Sequence, residues 1–385
     1  MLKCASVHTF EVDDPTVALQ EIKEQLDGRI TLLLHTIGII MCHSEFLASG
    51  VTKHICDNLP FEITGVTTAS QAVNDAIGEP ILTIFVMTSD DVQFIPGMTD
   101  SLLEDVDGPL KAVYENLTAG RAAPPKLVLA FPPFGLRAGD DYVRAFEKLA
   151  PGAAVFGTLA SDDTATFEEC ETLYNGVNYP DTMPFVLCYG NINPRFLVAT
   201  LPESSAVSSK AKITKALGNV VYEIDQTNTL KYFEEREFAE SCLYTPFYID
   251  LLKREDYDGV PIVRGLASFT EEGAAVFHGE VDEGSTLTIL RCEADDVICT
   301  TRQAAANIND FKDVNGALLF PCAVRRITLL GVNKPLLELQ TAKDTLKKDI
   351  PYMMGYAGGE ICPTSVKDGI PTNRFHNYSL VILVI

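Results

Sequence analysis

Positive charge is what this sequence has least of. Its 385 residues carry 30 lysines and arginines against 53 aspartates and glutamates, a formal net charge of −23. A surface that grips phosphates needs the opposite balance, so nucleic acid is excluded as a partner, and so is docking on anionic lipid. Long apolar runs are missing too. A bilayer-spanning helix needs about 20 mostly apolar residues. The best stretches are Ile30–Cys42, interrupted by His35, and Ser379–Ile385, and both are shorter than that. The opening residues Met1-Leu2-Lys3-Cys4 lack the apolar core of a signal peptide. Catalytic and metal signatures are absent as well. The 10 cysteines include no Cys-x-x-Cys, and the 6 histidines make no His-x-His or His-Glu-x-x-His. Neither a phosphate-binding Gly-x-x-x-x-Gly-Lys nor a Gly-x-Ser-x-Gly occurs. Cysteines in apolar settings such as Phe185-Val186-Leu187-Cys188 read as buried free thiols in a reducing cytoplasm.

What is present is a globular protein, 46% hydrophobic and 22% charged. At about 150 residues per domain, its length allows two or three domains. Short apolar strands alternate with helical stretches. Lys3–Phe10 reads as a strand, and Asp13-Asp14-Pro15 opens a helix through Leu26. Ile30–His35 reads as a buried strand, Glu45–Leu59 as a helix, and Pro184–Tyr189 with Phe196–Leu201 as a strand pair. Pro202–Ser209 is the most linker-like stretch. Beyond it, Pro261–Phe269, Ala274–Gly279 and Ser285–Leu290 are closely spaced strands. Thr229–Ser241, Glu293–Asn307 and Lys334–Lys348 are helical. The apolar Tyr378–Ile385 predicts a central closing strand. The expected class is α/β to α+β, with two domains, 1–205 and 206–385, built on mixed sheets flanked by helices.

Several residues could carry chemistry. Gly355-Tyr356-Ala357-Gly358-Gly359 opens no amphipathic helix, so it is no dinucleotide loop. It reads as a tight turn between strands, or as a place where a ligand approaches the backbone beside Glu360. Cys322 ends an apolar stretch three and four residues before Arg325 and Arg326. It is either a thiolate of lowered pKa or a buried structural cysteine. In so acidic a chain, arginines in apolar contexts, Arg264 and Arg325, pair with a carboxylate, the protein's own or a ligand's. Glu360 is one internal candidate for Arg325.

Motifs in register along the chain carry a family likeness, with Gly65–Ala69, Tyr174-Asn175-Gly176 and Gly218–Asp225 among them. They include Phe156-Gly157-Thr158-Leu159-Ala160-Ser161-Asp162, Val263-Arg264-Gly265-Leu266 and Phe277-His278-Gly279-Glu280. Cys322-Ala323-Val324-Arg325, Gly355–Ile361 and His376-Asn377-Tyr378-Ser379 complete the series. The chain resembles a stand-alone FIST protein, a FIST_N segment followed by FIST_C. It departs from the family where Cys-x-Gly-Arg becomes Cys322-Ala323-Val324-Arg325 and the glycine is lost. The resemblance implies a cytoplasmic sensory module in signal transduction. It would bind a small carboxylate such as an amino acid without turnover. Arg325 would take the carboxylate and Glu360 the ammonium, with Gly358 and Gly359 donating backbone N–H groups and Arg264 and Cys322 nearby. It also implies an alternative, a haem-binding nitric-oxide or gas sensor with His278 or His376 as axial ligand. Output would pass to a partner such as a histidine kinase. An enzyme using Cys322 or Glu360 is the further alternative.

Overall fold

A computed structural model of the chain describes residues 2–164, 166–236, 238, 246–250 and 258–385. It is an α+β fold in which helices pack on four β-sheets. The first sheet runs in the order Leu2–Thr9, Leu82–Ser89, His35–Cys42, Glu62–Thr67, Thr172–Tyr174, Val177–Tyr179. Helices Pro15–Arg29 and Val51–Asn58 cover one of its faces with Ala18, Ile22, Leu26 and Ile55. The first helix starts where the sequence places it. The Asp14 carboxylate accepts from the Thr16 and Val17 amides, and Pro15 fills the first turn.

Two further sheets draw strands from both halves of the chain. In one, Glu360–Lys367 pairs with Ala154–Thr158, which runs parallel to Leu127–Ala130. In the other, Leu380–Val384 lies between Arg195–Ala199 and Ala317–Pro321 and is buried throughout, as its apolar pattern predicts. Hydrogen bonding therefore crosses the expected 205/206 division. The first three sheets meet in one core, where Phe156 stacks on Phe320 at 5.2 Å beside Ile39 and Val381.

The fourth sheet closes on itself. Ala211–Leu217, Thr286–Ile289, Pro246–Asp250, Ile262–Phe269, Ala275–Phe277 and Val220–Ile224 form an antiparallel ring, completed by pairing of the last with the first. Closure leaves these strands no open edge. Phe233, Phe247, Phe277 and Ile213 fill the interior.

Several elements differ from expectation. The strand expected over Ile30–His35 begins only at His35 and runs to Cys42. Leu34 is 76% exposed, so the apolar run before it leads into the sheet without entering it. The helix expected over Glu45–Leu59 breaks at Gly50, which adopts φ +79° between Glu45–Ala48 and Val51–Asn58. Pro184–Gly190 and Arg195–Ala199 do not pair with each other. The first is flanked by Val92–Met98 and Leu127–Ala130, so neither of its edges is free, and the second pairs with Leu380–Val384. The helix expected over Thr229–Ser241 spans Thr229–Glu234, and most of its remaining residues lie outside the described ones. Among the described residues no helix is long and apolar enough to cross a membrane.

Candidate functional site

The strand Ala317–Pro321 hands over to the helix Ala323–Leu330 at Cys322, the residue that caps the helix. The Cys322 amide donates to Ser379 O at 2.9 Å, and the Ala323 amide donates to Ala357 O at 2.7 Å. The glycine turn is thereby fastened against the helix N-terminus. Gly358 is required there, because a Cβ at this position would lie 2.2 Å from Ala160 O and 2.5 Å from the Phe134 ring. The close approach brings a loop of the N-terminal half against the turn and leaves a cavity of about 250 Å³ between them.

Phe134, Thr166 and Phe167 wall one side of this cavity. Gly265, Leu266, Ala267 and His278 come from the barrel. Cys322, Ala323, Val324, Ala357, Gly358, Asn377 and Tyr378 close the other side. No aspartate, glutamate, lysine or arginine is among these residues. Burial lowers the His278 pKa, so its imidazole is held neutral. The site therefore offers an apolar surface with a few uncharged hydrogen-bonding groups, the usual make-up of a small-molecule pocket.

The backbone marks the same place. Eight non-glycine residues among the described ones have positive φ, and six of them are asparagine, aspartate or glutamine, the types suited to it or close to them. The other two are bulky aromatics, Phe167 at 57° and Tyr378 at 60°, and both line the cavity. Such strain persists where the surroundings over-determine it, and it concentrates at ligand sites. A wider, shallower groove beside Glu45, Glu168, Glu169 and Glu171 has no residue of positive φ among those that line it.

The residues expected to form the site divide into two groups. Cys322, Gly358 and His278 face the cavity. Arg325, Arg264, Glu360, Gly359 and His376 lie behind its wall. Arg325 is fully buried and already satisfied. Its Nε donates to Glu338 Oε1 at 2.8 Å, and its Nη2 donates to Val297 O and to the Thr300 and Thr301 hydroxyls. Burial alone would lower the Arg325 pKa, but Glu338 beside it raises it. The carboxylate that Arg325 holds is thus Glu338, neither Glu360 nor a ligand's. Arg264 is likewise held by Asp140, at 3.0 Å. Glu360 is fully buried, and its Oε2 accepts from the Ser379 amide at 3.3 Å. Burial raises its pKa well above the usual carboxylate range, so an ammonium-binding role gives way to that of a protonated acid. Burial and the adjacent Glu360 also raise the Cys322 thiol, which removes the reading of a low-pKa thiolate.

Two family models match the chain, the FIST N domain over residues 36–227 and the FIST C domain over 228–363. The chain belongs to the FIST family. FIST domains are sensory modules of signal transduction. No curated protein matches the chain. The cavity lies between the two FIST segments, with Phe134, Thr166 and Phe167 from the first and Gly265 through Gly358 from the second. Asn377 and Tyr378 follow the matched region.

Of the two histidines that the resemblance offers as haem ligands, His278 lines the cavity and His376 does not. His278 faces the Phe134 ring across the cavity, with ring centroids 6.5 Å apart. His376 is 1% exposed, and its Nε2 is taken by Cys362 O at 3.0 Å. Burial lowers its pKa to about 4. Phe134, Phe167, Leu266 and Asn377 also line the cavity and were not among the expected site residues. The first two lie in loops without hydrophobic period, whereas Leu266 and Asn377 belong to matched motifs and could have been found there.

Proposed function

We propose that the cavity between the two FIST segments is the sensory pocket, and that it takes a small neutral molecule of mostly apolar character without turnover. The observation that carries this reading is the lining, which combines aromatic walls with no charged side chain among the described residues. An amino-acid carboxylate would need a buried cation, and both candidate arginines are engaged by Glu338 and Asp140. Asn377 and the neutral His278 would orient one polar group of the ligand.

The signal would leave through the helices behind the pocket. Tyr378 lines the cavity, and its carbonyl accepts from Arg325 Nη1 at 3.3 Å. Arg325 in turn binds the helices Ala294–Asp310 and Leu337–Thr345. A ligand that relaxes Tyr378 would therefore shift a rigid buried contact to both helices. The output partner would be a signalling protein such as a histidine kinase, in the cytoplasm.

A thermal-shift screen of neutral aromatic and aliphatic compounds against amino acids and short carboxylates tests this. A ligand at about 100 times its Kd adds about 2.7 kcal/mol of stability, a rise of several degrees in Tm. Neutral hits are expected, and Ala267→Phe, which fills the cavity, abolishes them. Hits confined to carboxylates, or unaffected by Ala267→Phe, would remove this pocket as the site.

A further inference from the structure

We propose that the polar group recognised in this pocket is a hydrogen-bond acceptor, and that the ligand is an apolar molecule bearing a carbonyl oxygen, as in a ketone, an ester or a tertiary amide. The proposal rests on the pocket reading above and names the ligand class within it. The orientation of Asn377 points there. Asn377 lines the cavity and is only 3% exposed. The Gly265 amide donates to Asn377 Oδ1 at 3.4 Å. A backbone N–H can only donate, so the atom that faces it is the side-chain carbonyl, and both side-chain N–H bonds lie at the other end. Nδ2 meets no hydrogen-bond partner among the described residues. A buried amide nitrogen left in this state costs stability until an acceptor reaches it. The cavity is the space from which one can come.

The rest of the wall has the same polarity. Cys322, Ala323 and Val324 line the cavity at the start of the helix Ala323–Leu330, so the positive end of that helix faces the ligand. Such an end favours an oxygen over a polar hydrogen. Carbonyls of the wall already hold donors. Ala357 O accepts from the Ala323 amide at 2.7 Å, Tyr378 O from Arg325 at 3.3 Å, and Gly265 O from the His278 amide at 3.0 Å. Gly265 thus positions both uncharged polar side chains, Asn377 through its N–H and His278 through its C=O. The neutral His278 imidazole brings one further N–H to the cavity. The Thr166 hydroxyl is committed to Glu168 at 2.8 Å. A ligand whose polar group only donates would set its hydrogen against these donors, whereas a carbonyl oxygen offers them two lone pairs.

The test measures by NMR titration the dissociation constants of 4-phenyl-2-butanone and of butylbenzene, the same carbon skeleton without the oxygen. The full chain is compared with Asn377→Leu, which keeps the volume and removes the donor. The preference for the ketone relative to butylbenzene is expected to fall about fivefold in Asn377→Leu, with butylbenzene itself little changed. Should Asn377→Leu fail to fold, the wild type decides, through the 13C resonance of the ketone labelled at its carbonyl. Hydrogen bonding moves the bound resonance downfield of its position in hexane. An unchanged preference, or a hexane-like resonance, overturns the acceptor proposal, and binding that Ala267→Phe abolishes leaves the pocket standing. If neither compound binds, or both bind Ala267→Phe as well as wild type, the pocket reading falls and this proposal with it.

Discussion

Arg325→Leu should cost the protein about 3–5 kcal/mol, a large share of the 5–15 kcal/mol that holds an ordinary domain folded. Arg325 and Glu338 are each 0% exposed, so removing the cation leaves a carboxylate buried without its charge partner. The same change strips donors from Val297 O, Thr300, Thr301 and Tyr378 O. The double variant Arg325→Leu, Glu338→Leu should recover more than half of the loss, because no lone charge remains. Chemical denaturation of the three proteins checks this. A single variant within about 1 kcal/mol of wild type would show that Arg325 is not the structural tie described here.

Arg264→Ala should destabilise by a similar amount, about 3–5 kcal/mol. Arg264 joins three parts of the molecule. Its Nη2 donates to Asp140 at 3.0 Å on the helix Gly139–Leu149, its Nε to Glu280 O at 3.0 Å, and its Nη1 to Phe375 O at 2.7 Å. The Glu280 amide closes the group by donating to Asp140 Oδ2 at 2.8 Å. The guanidinium also sits over the Phe375 ring at 5.6 Å. Arg264→Lys should rescue little, because a point charge cannot serve a carboxylate and two carbonyls in one plane. Hydrogen exchange should show strand Ile262–Phe269 and helix Gly139–Leu149 losing protection together. Loss confined to the strand would mean that the barrel is held to the N-terminal half by other contacts.

Much of this architecture is written in local pattern. Leu380–Val384 is central because all of its residues are apolar, and the helix Pro15–Arg29 starts where Asp14 and Pro15 stand. What local pattern does not carry is pairing at long range. Pro184–Gly190 and Arg195–Ala199 are neighbours in sequence but belong to different sheets. Closure of the barrel depends on the register of Ala211–Leu217 with Val220–Ile224 across bulges that no periodicity marks. The strand Val92–Met98 contains Pro96 and escapes a propensity reading, yet it lies at a sheet edge where proline is tolerated.

The site was half legible for the same reason. Cys322, Gly358 and His278 stand out by residue type within motifs. The importance of Arg264 and Arg325 was also legible, because buried cations in an acidic chain must be paired. Their partners were not. Asp140 is 124 positions from Arg264, and Glu338 lies on a helix whose burial the sequence does not reveal. The arginines expected to meet a ligand are instead buried ties behind the walls of the cavity. Among the described residues the cavity wall is left uncharged, because both arginines are paired behind it.

The central claim is that a neutral small molecule occupies the space between the two FIST segments. A crystal soaked with the best neutral hit from the thermal screen tests it most directly. The account predicts difference density bounded by Phe134, Phe167, Leu266 and Tyr378, with one polar group within hydrogen-bond reach of Asn377 or His278. Density elsewhere on the molecule, with this cavity unchanged, would contradict it.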